Sequence, residues 1–119
     1  MIKTCGFLVS LAAGTLSAGI ATANDAAVEG KLTFDRWCQG CHADSHFAPG
    51  TIYLRSVREP EFAVIENNQN LSRELVAEVV RRGRGGMPSF RRTEISKQEL
   101  EALIDYLTRW SEVEEQGSK

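Results

Sequence analysis

The sequence predicts an all-α domain, and three observations carry that prediction. Apolar residues recur at spacings of three and four in three segments, whereas the two-residue alternation of a half-buried strand is absent. Ser72 and Ser96 stand where helix N-caps belong, each with a glutamate in the turn that follows, and Gly83 stands where a helix stops. The length of 119 residues allows one domain and no more.

The first element is set aside from the fold. Lys3 supplies a short positive region, residues 5–20 are apolar or small throughout, and Ala21-Thr22-Ala23 has the small-x-small pattern of a signal-peptidase site. Residues 1–23 are therefore expected to form a cleaved signal peptide, leaving a domain of residues 24–119 in the periplasm with no membrane anchor. An uncleaved span fits poorly, because the apolar stretch is short, holds three glycines and runs straight into the cleavage pattern.

The first helix of the domain is expected over residues 26–38. Gly30, Phe34 and Cys38 recur every four residues and share one face. A glycine in mid-helix costs about 1 kcal/mol against alanine, so Gly30 points to close packing by another element. Residues 43–71, with Pro49-Gly50 and Pro60, read as loop holding one or two short helices. The second main helix follows Ser72, with Leu75, Val76, Val79 and Val80 as its stripe and Arg81 and Arg82 against its C-terminal dipole. The last starts with the capping box of Ser96 and Glu99, and Leu100, Leu103, Ile104, Leu107 and Trp110 form its stripe. Three main helices with few large apolar residues make a small core, and a buried apolar cofactor would complete it.

Charge is nearly balanced, with 14 Lys and Arg against 16 Asp and Glu. One short cluster, Arg81, Arg82, Arg84, Arg91 and Arg92, stands out in a weakly acidic chain, and this excludes nucleic acid as a partner because phosphate neutralisation needs a wide basic footprint.

Cleavage would remove Cys5 and leave two cysteines, in the run Cys38-Gln39-Gly40-Cys41-His42. This is the C-x-x-C-H haem-attachment signature. Two thiols three residues apart near a helix end add to the two vinyl groups on one edge of a porphyrin, and the next histidine is directed at the iron. Gly40 leaves room for the ring against the backbone. Three other readings compete. A thioredoxin-like pair needs a βαβ framework that is missing. A zinc site from Cys38, Cys41, His42 and His46 is strained by the adjacency of Cys41 and His42. A structural disulfide between Cys38 and Cys41 is the remaining option, and haem attachment is preferred to all three. The expected cofactor is one covalent haem c.

The second axial ligand is expected to be Met87, the only methionine left after cleavage, in the setting Gly85-Gly86-Met87-Pro88. A lone methionine is often core filler, but the flanking glycines and proline point to a positioned loop. His46 lies only four residues from His42, too near to reach the opposite face, and reads as a surface histidine.

Gly30-x-x-x-Phe34-x-x-x-Cys38, Leu103-x-x-Tyr106-Leu107 and the run from Arg81 to Pro88, in this order, resemble the class I cytochrome c family across nearly all of residues 25–119. The resemblance implies an all-α fold wrapped around one haem c, with an aromatic of the last helix against the glycine of the first. It also implies that the carbonyl of Pro49 accepts a hydrogen bond from His42 Nδ1–H. Residues 87–96, with Ala48-Pro49-Gly50-Thr51 upstream, are similar to the cytochrome subunits of flavocytochromes that oxidise 4-alkylphenols, of the p-cresol methylhydroxylase and eugenol hydroxylase type. That similarity implies a periplasmic FAD-containing phenol-oxidising subunit as electron donor; a free carrier serving a terminal oxidase or reductase, or the subunit of another periplasmic dehydrogenase, stands beside it. The arginine cluster has two readings: dipole compensation with pairing to haem propionates, or a docking patch for an acidic partner.

Overall fold

The structure, a computed structural model, describes residues 23–110. Residues 1–22, all of the expected leader except Ala23, lie outside the described residues, as do residues 111–119. The described part is helical, with five α-helices and, among those residues, no strand. None of its helices is long and apolar enough to cross a membrane.

Helix α1 spans Ala23–Trp37, starting three residues earlier than its apolar pattern, with Asp25 in its first turn where the helix dipole favours an acid. It ends one residue short of Cys38, which caps the four-residue α2, Gln39–His42. Residues 43–71 hold more helix than expected. Pro49 is not a loop residue but the first residue of a nine-residue helix, α3 (Pro49–Val57), where its missing N–H costs nothing. Two short 3₁₀ turns follow, Pro60–Phe62 and Ile65–Asn67.

The remaining helices begin and end on their local signals. Helix α4, Arg73–Arg82, is capped by the Ser72 side chain accepting from Leu75 N, and it stops at Gly83 with φ +70°. Helix α5, Lys97–Thr108, carries the reciprocal Ser96–Glu99 capping box. Trp110, read as the end of its stripe, lies just beyond the helix and is partly exposed.

The core forms where α1, α4 and α5 meet. Phe34, Ile95 and Leu103 are fully buried, and Val76, Val80, Leu100, Ile104, Leu107 and Cys38 complete the cluster. Helices α1 and α5 approach closely at Gly30, where a Cβ would stand 2.1 Å from the Ala102 carbonyl oxygen and 2.6 Å from Tyr106 Cβ. The aromatic of the last helix thus packs on the glycine of the first. A second tie joins the turn at Ile65–Asn67 to the end of α5: the Tyr106 hydroxyl donates to the Glu66 carboxylate, and the Glu66 carbonyl accepts from Arg109 at 2.9 Å and Trp110 Nε1 at 3.0 Å.

Candidate haem site

The site starts where α1 breaks. Cys38 N still donates to Phe34 O at 2.8 Å, the last bond of α1, and Cys38 O then accepts from both Cys41 N (3.0 Å) and His42 N (2.8 Å). This tight turn buries Cys38 in the core and leaves Cys41 exposed, with neither in a disulfide. Burial, with smaller contributions from Cys41 and Glu66, pushes the Cys38 thiol up to about 12, so it stays protonated at neutral pH. Among the described residues no three His, Cys, Asp or Glu side chains are placed together to hold a metal ion. His46 is exposed, as expected.

His42 lies against the start of α3. Burial lowers its pKa below the ordinary histidine value and favours the neutral imidazole, the form with a free lone pair. The expectation for Pro49 needs correction. His42 Nδ1 is buried with no hydrogen-bond partner, the Pro49 carbonyl included. As the first residue of α3, Pro49 has its carbonyl directed along that helix. Gly50 is the residue that holds the ring, since a Cβ there would meet His42 Cε1 at 2.8 Å, Nδ1 at 3.0 Å and Cys41 O at 2.7 Å. Thr51 Oγ1, fully buried, donates to Ala43 O at 2.8 Å and fixes α3 to the segment after His42.

Met87 is presented by a tight turn. Arg84 N donates to Met87 O at 3.1 Å and Met87 N to Arg84 O at 3.0 Å. Gly83 and Gly85 take positive φ, and a Cβ on Gly83 would also stand 2.6 Å from Met87 O. Met87 itself is half-buried, packed on the core cluster that contains Cys38. The structure therefore brings Cys38 and Met87 onto one apolar body, while His42 sits outside that cluster against Gly50. Along the same helix beyond Gly50, Ile52, Tyr53 and Val57 expose apolar surface.

The arginine cluster divides. Arg81 is partly buried and donates to the carbonyls of Phe90 (3.2 Å), Ile95 (2.8 Å) and Ser96 (3.2 Å), a role the linear basic run concealed. Arg82 pairs with Glu78 at 3.8 Å and Arg91 with Glu94 at 3.6 Å. Arg84 and Arg92 are exposed and form no ion pair among the described residues.

A family model described as cytochrome C oxidase, cbb3-type, subunit III matches residues 25–107. The chain belongs to this family of c-type cytochromes. Neither a curated protein nor a solved structure matches the cytochrome. The family implies haem c, and the residues present fit it: two unpaired thiols on one tight turn, a neutral imidazole with an orphaned nitrogen, and a methionine on a formed loop. The p-cresol methylhydroxylase-type relationship receives no support from the family match.

Proposed function

We propose that this cytochrome is a periplasmic one-electron carrier with a single haem c, attached through Cys38 and Cys41 and ligated by His42 and Met87. The observation that carries the reading is the pairing of the Cys38–His42 turn with the clamped Met87 turn at one core. Haem c supplies a one-electron Fe(III)/Fe(II) couple, and histidine–methionine ligation leaves no open position and raises the potential. The chain's part is to hold a neutral imidazole against Gly50, bury one thiol, keep the methionine on its turn and provide an apolar surround. The reading is that of a carrier rather than a catalyst, as a cytochrome c domain suggests.

Produced with the haem-attachment machinery, the mature chain is expected to keep its colour through acid–acetone extraction and to gain the mass of one haem. Met87→Ala should abolish the weak sulfur-to-iron charge-transfer band of the oxidised protein, lower the potential and open the iron to carbon monoxide. Colour lost on extraction, or a Met87→Ala spectrum identical to the parent's, overturns the reading.

For the electron donor we infer a periplasmic flavin-dependent subunit oxidising 4-alkylphenols, supported by the similarity of residues 87–96 and by two exposed cations flanking the Met87 turn, Arg84 and Arg92, neither in an ion pair among the described residues. Reversing both charges should slow reduction by the flavoprotein, most at low salt, without altering the haem spectrum. The oxidase named in the family description favours a second reading, a carrier serving a terminal oxidase. Co-purification from the native host separates them: a flavoprotein in one case, an oxidase or no partner in the other.

A further inference from the structure

The Met87 turn does not hold itself in place. A Cβ on Gly85 or Gly86 would meet nothing, so neither glycine is wedged against a neighbour, and Pro88 and Ser89 are exposed. Beside the packing of Met87 on the core, its position is set at its two ends. One end is continuous with α4 through Gly83. The other is Phe90, gripped three ways: its N–H donates to Val80 O at 2.8 Å, its carbonyl accepts from Arg81, and its ring meets the Trp37 indole edge-on at 5.7 Å between centroids. Trp37 Nε1 is buried with no hydrogen-bond partner among the described residues, and its ring packs on Phe90 and the core cluster. Trp37 directly precedes Cys38, which makes this contact a bridge between the attachment turn and the methionine turn.

We propose that Arg81 and Trp37 are positioning residues that keep Met87 on its ligating side by gripping Phe90. The proposal rests on the reading of Met87 as an axial ligand. An arginine serving only the helix dipole or a docking partner would keep its guanidinium in solvent. Arg81 instead spends it on three backbone carbonyls, two of which, Ile95 and Ser96, lead into α5. One side chain thus ties α4, the methionine turn and the start of α5. An intramolecular ligand competes with an external one through its effective concentration, and that falls when the segment carrying it gains freedom. Loosening Phe90 therefore leaves the methionine attached to the chain but less often in place.

The test is imidazole binding to the oxidised haem-loaded protein, followed by loss of the sulfur-to-iron band. Arg81→Gln should bind imidazole about tenfold more tightly than the parent, the effect expected from losing one or two net hydrogen bonds that favour the closed turn. Arg81→Lys should fall between the two. Arg82→Gln, with the same charge change at an exposed guanidinium paired with Glu78, should match the parent. Where Arg81→Gln does not mature, Trp37→Leu carries the test in the same direction, and Trp37→Phe should retain most of the grip. Parent-like affinity in both Arg81→Gln and Trp37→Leu overturns the proposal while leaving Met87 ligation standing. A parent that binds imidazole as tightly as Met87→Ala overturns the ligand reading, and the proposal falls with it.

Discussion

Gly30→Ala sets two effects of opposite sign against each other at the contact between α1 and α5. Alanine is the better helix former by about 1 kcal/mol, and on that ground alone the variant would be more stable. The added Cβ, however, would stand 2.1 Å from the Ala102 carbonyl oxygen and 2.6 Å from Tyr106 Cβ. Carbon-to-oxygen contacts settle at roughly 3.3 Å or more, so the two helices must part by about 1 Å. The obstructing oxygen is backbone in the middle of α5 and cannot swing aside. Parting the helices also loosens Phe34 and Leu103, both fully buried. Overpacking of this kind costs about 3 kcal/mol at the upper end of its usual range. The net loss is then about 2 kcal/mol, which lowers the melting temperature of a domain of this size by roughly 8–16 °C. Thermal unfolding of the oxidised haem-loaded protein, followed by far-ultraviolet circular dichroism, measures it. A melting temperature equal to or above the parent's would show that the helices yield freely and would refute the packing argument.

Gly50→Ala should reduce the yield of haem-loaded protein, since its Cβ would press on the His42 ring and the Cys41 carbonyl; normal yield and an unchanged haem spectrum would contradict this. Ser96→Ala should cost about 1 kcal/mol by removing the cap from Glu99 N, read as a lower denaturant midpoint. The Ser96 backbone and side-chain hydrogen bonds, helped by Arg36, hold the Glu99 carboxyl below its usual value, so its contribution is complete above the ordinary carboxylate range and is lost as pH falls through the lowered value. Acid titration of Glu99→Gln should therefore show a shallower loss of stability than the parent. Burial and the Glu66 hydrogen bond push the Tyr106 hydroxyl up to about 12, so its stabilisation is complete below about pH 10 and disappears as pH rises through about 12. Tyr106→Phe should lack that alkaline loss, and equal alkaline midpoints for the two proteins would count against the Tyr106–Glu66 bond.

The parts legible in the sequence were those governed by neighbours within about one helical turn. The Ser72 and Ser96 caps, the stop at Gly83 and the stripe of α5 depend on backbone groups three or four residues away, and each stands where its residues placed it. The Cys38–His42 run likewise forms one tight turn at a helix end, because its bonds from Cys41 N and His42 N to Cys38 O span only three and four residues. Gly30 was legible for a different reason: a glycine unfavourable to its own helix has to be explained by something packed on it.

What the tertiary structure alone decided lies across longer separations. Arg81 looks in sequence like one member of a basic run, yet its partners at Phe90, Ile95 and Ser96 lie nine to fifteen residues on, and no local pattern distinguishes it from Arg82. Pro49 read as a loop marker because a proline signals a break whether it ends one helix or begins the next; the nine residues after the break were helical because Thr51 and Gly50 pack against the segment around His42. The orphaned Nδ1 of His42, the Trp37–Phe90 contact and the knot at Glu66 are likewise products of packing. Local hydrogen bonds and steric limits write themselves into adjacent residues. A contact between distant segments exists only once the helices have closed on a shared core, and a side chain that can serve solvent, dipole or backbone is assigned its role by what that closure brings within reach.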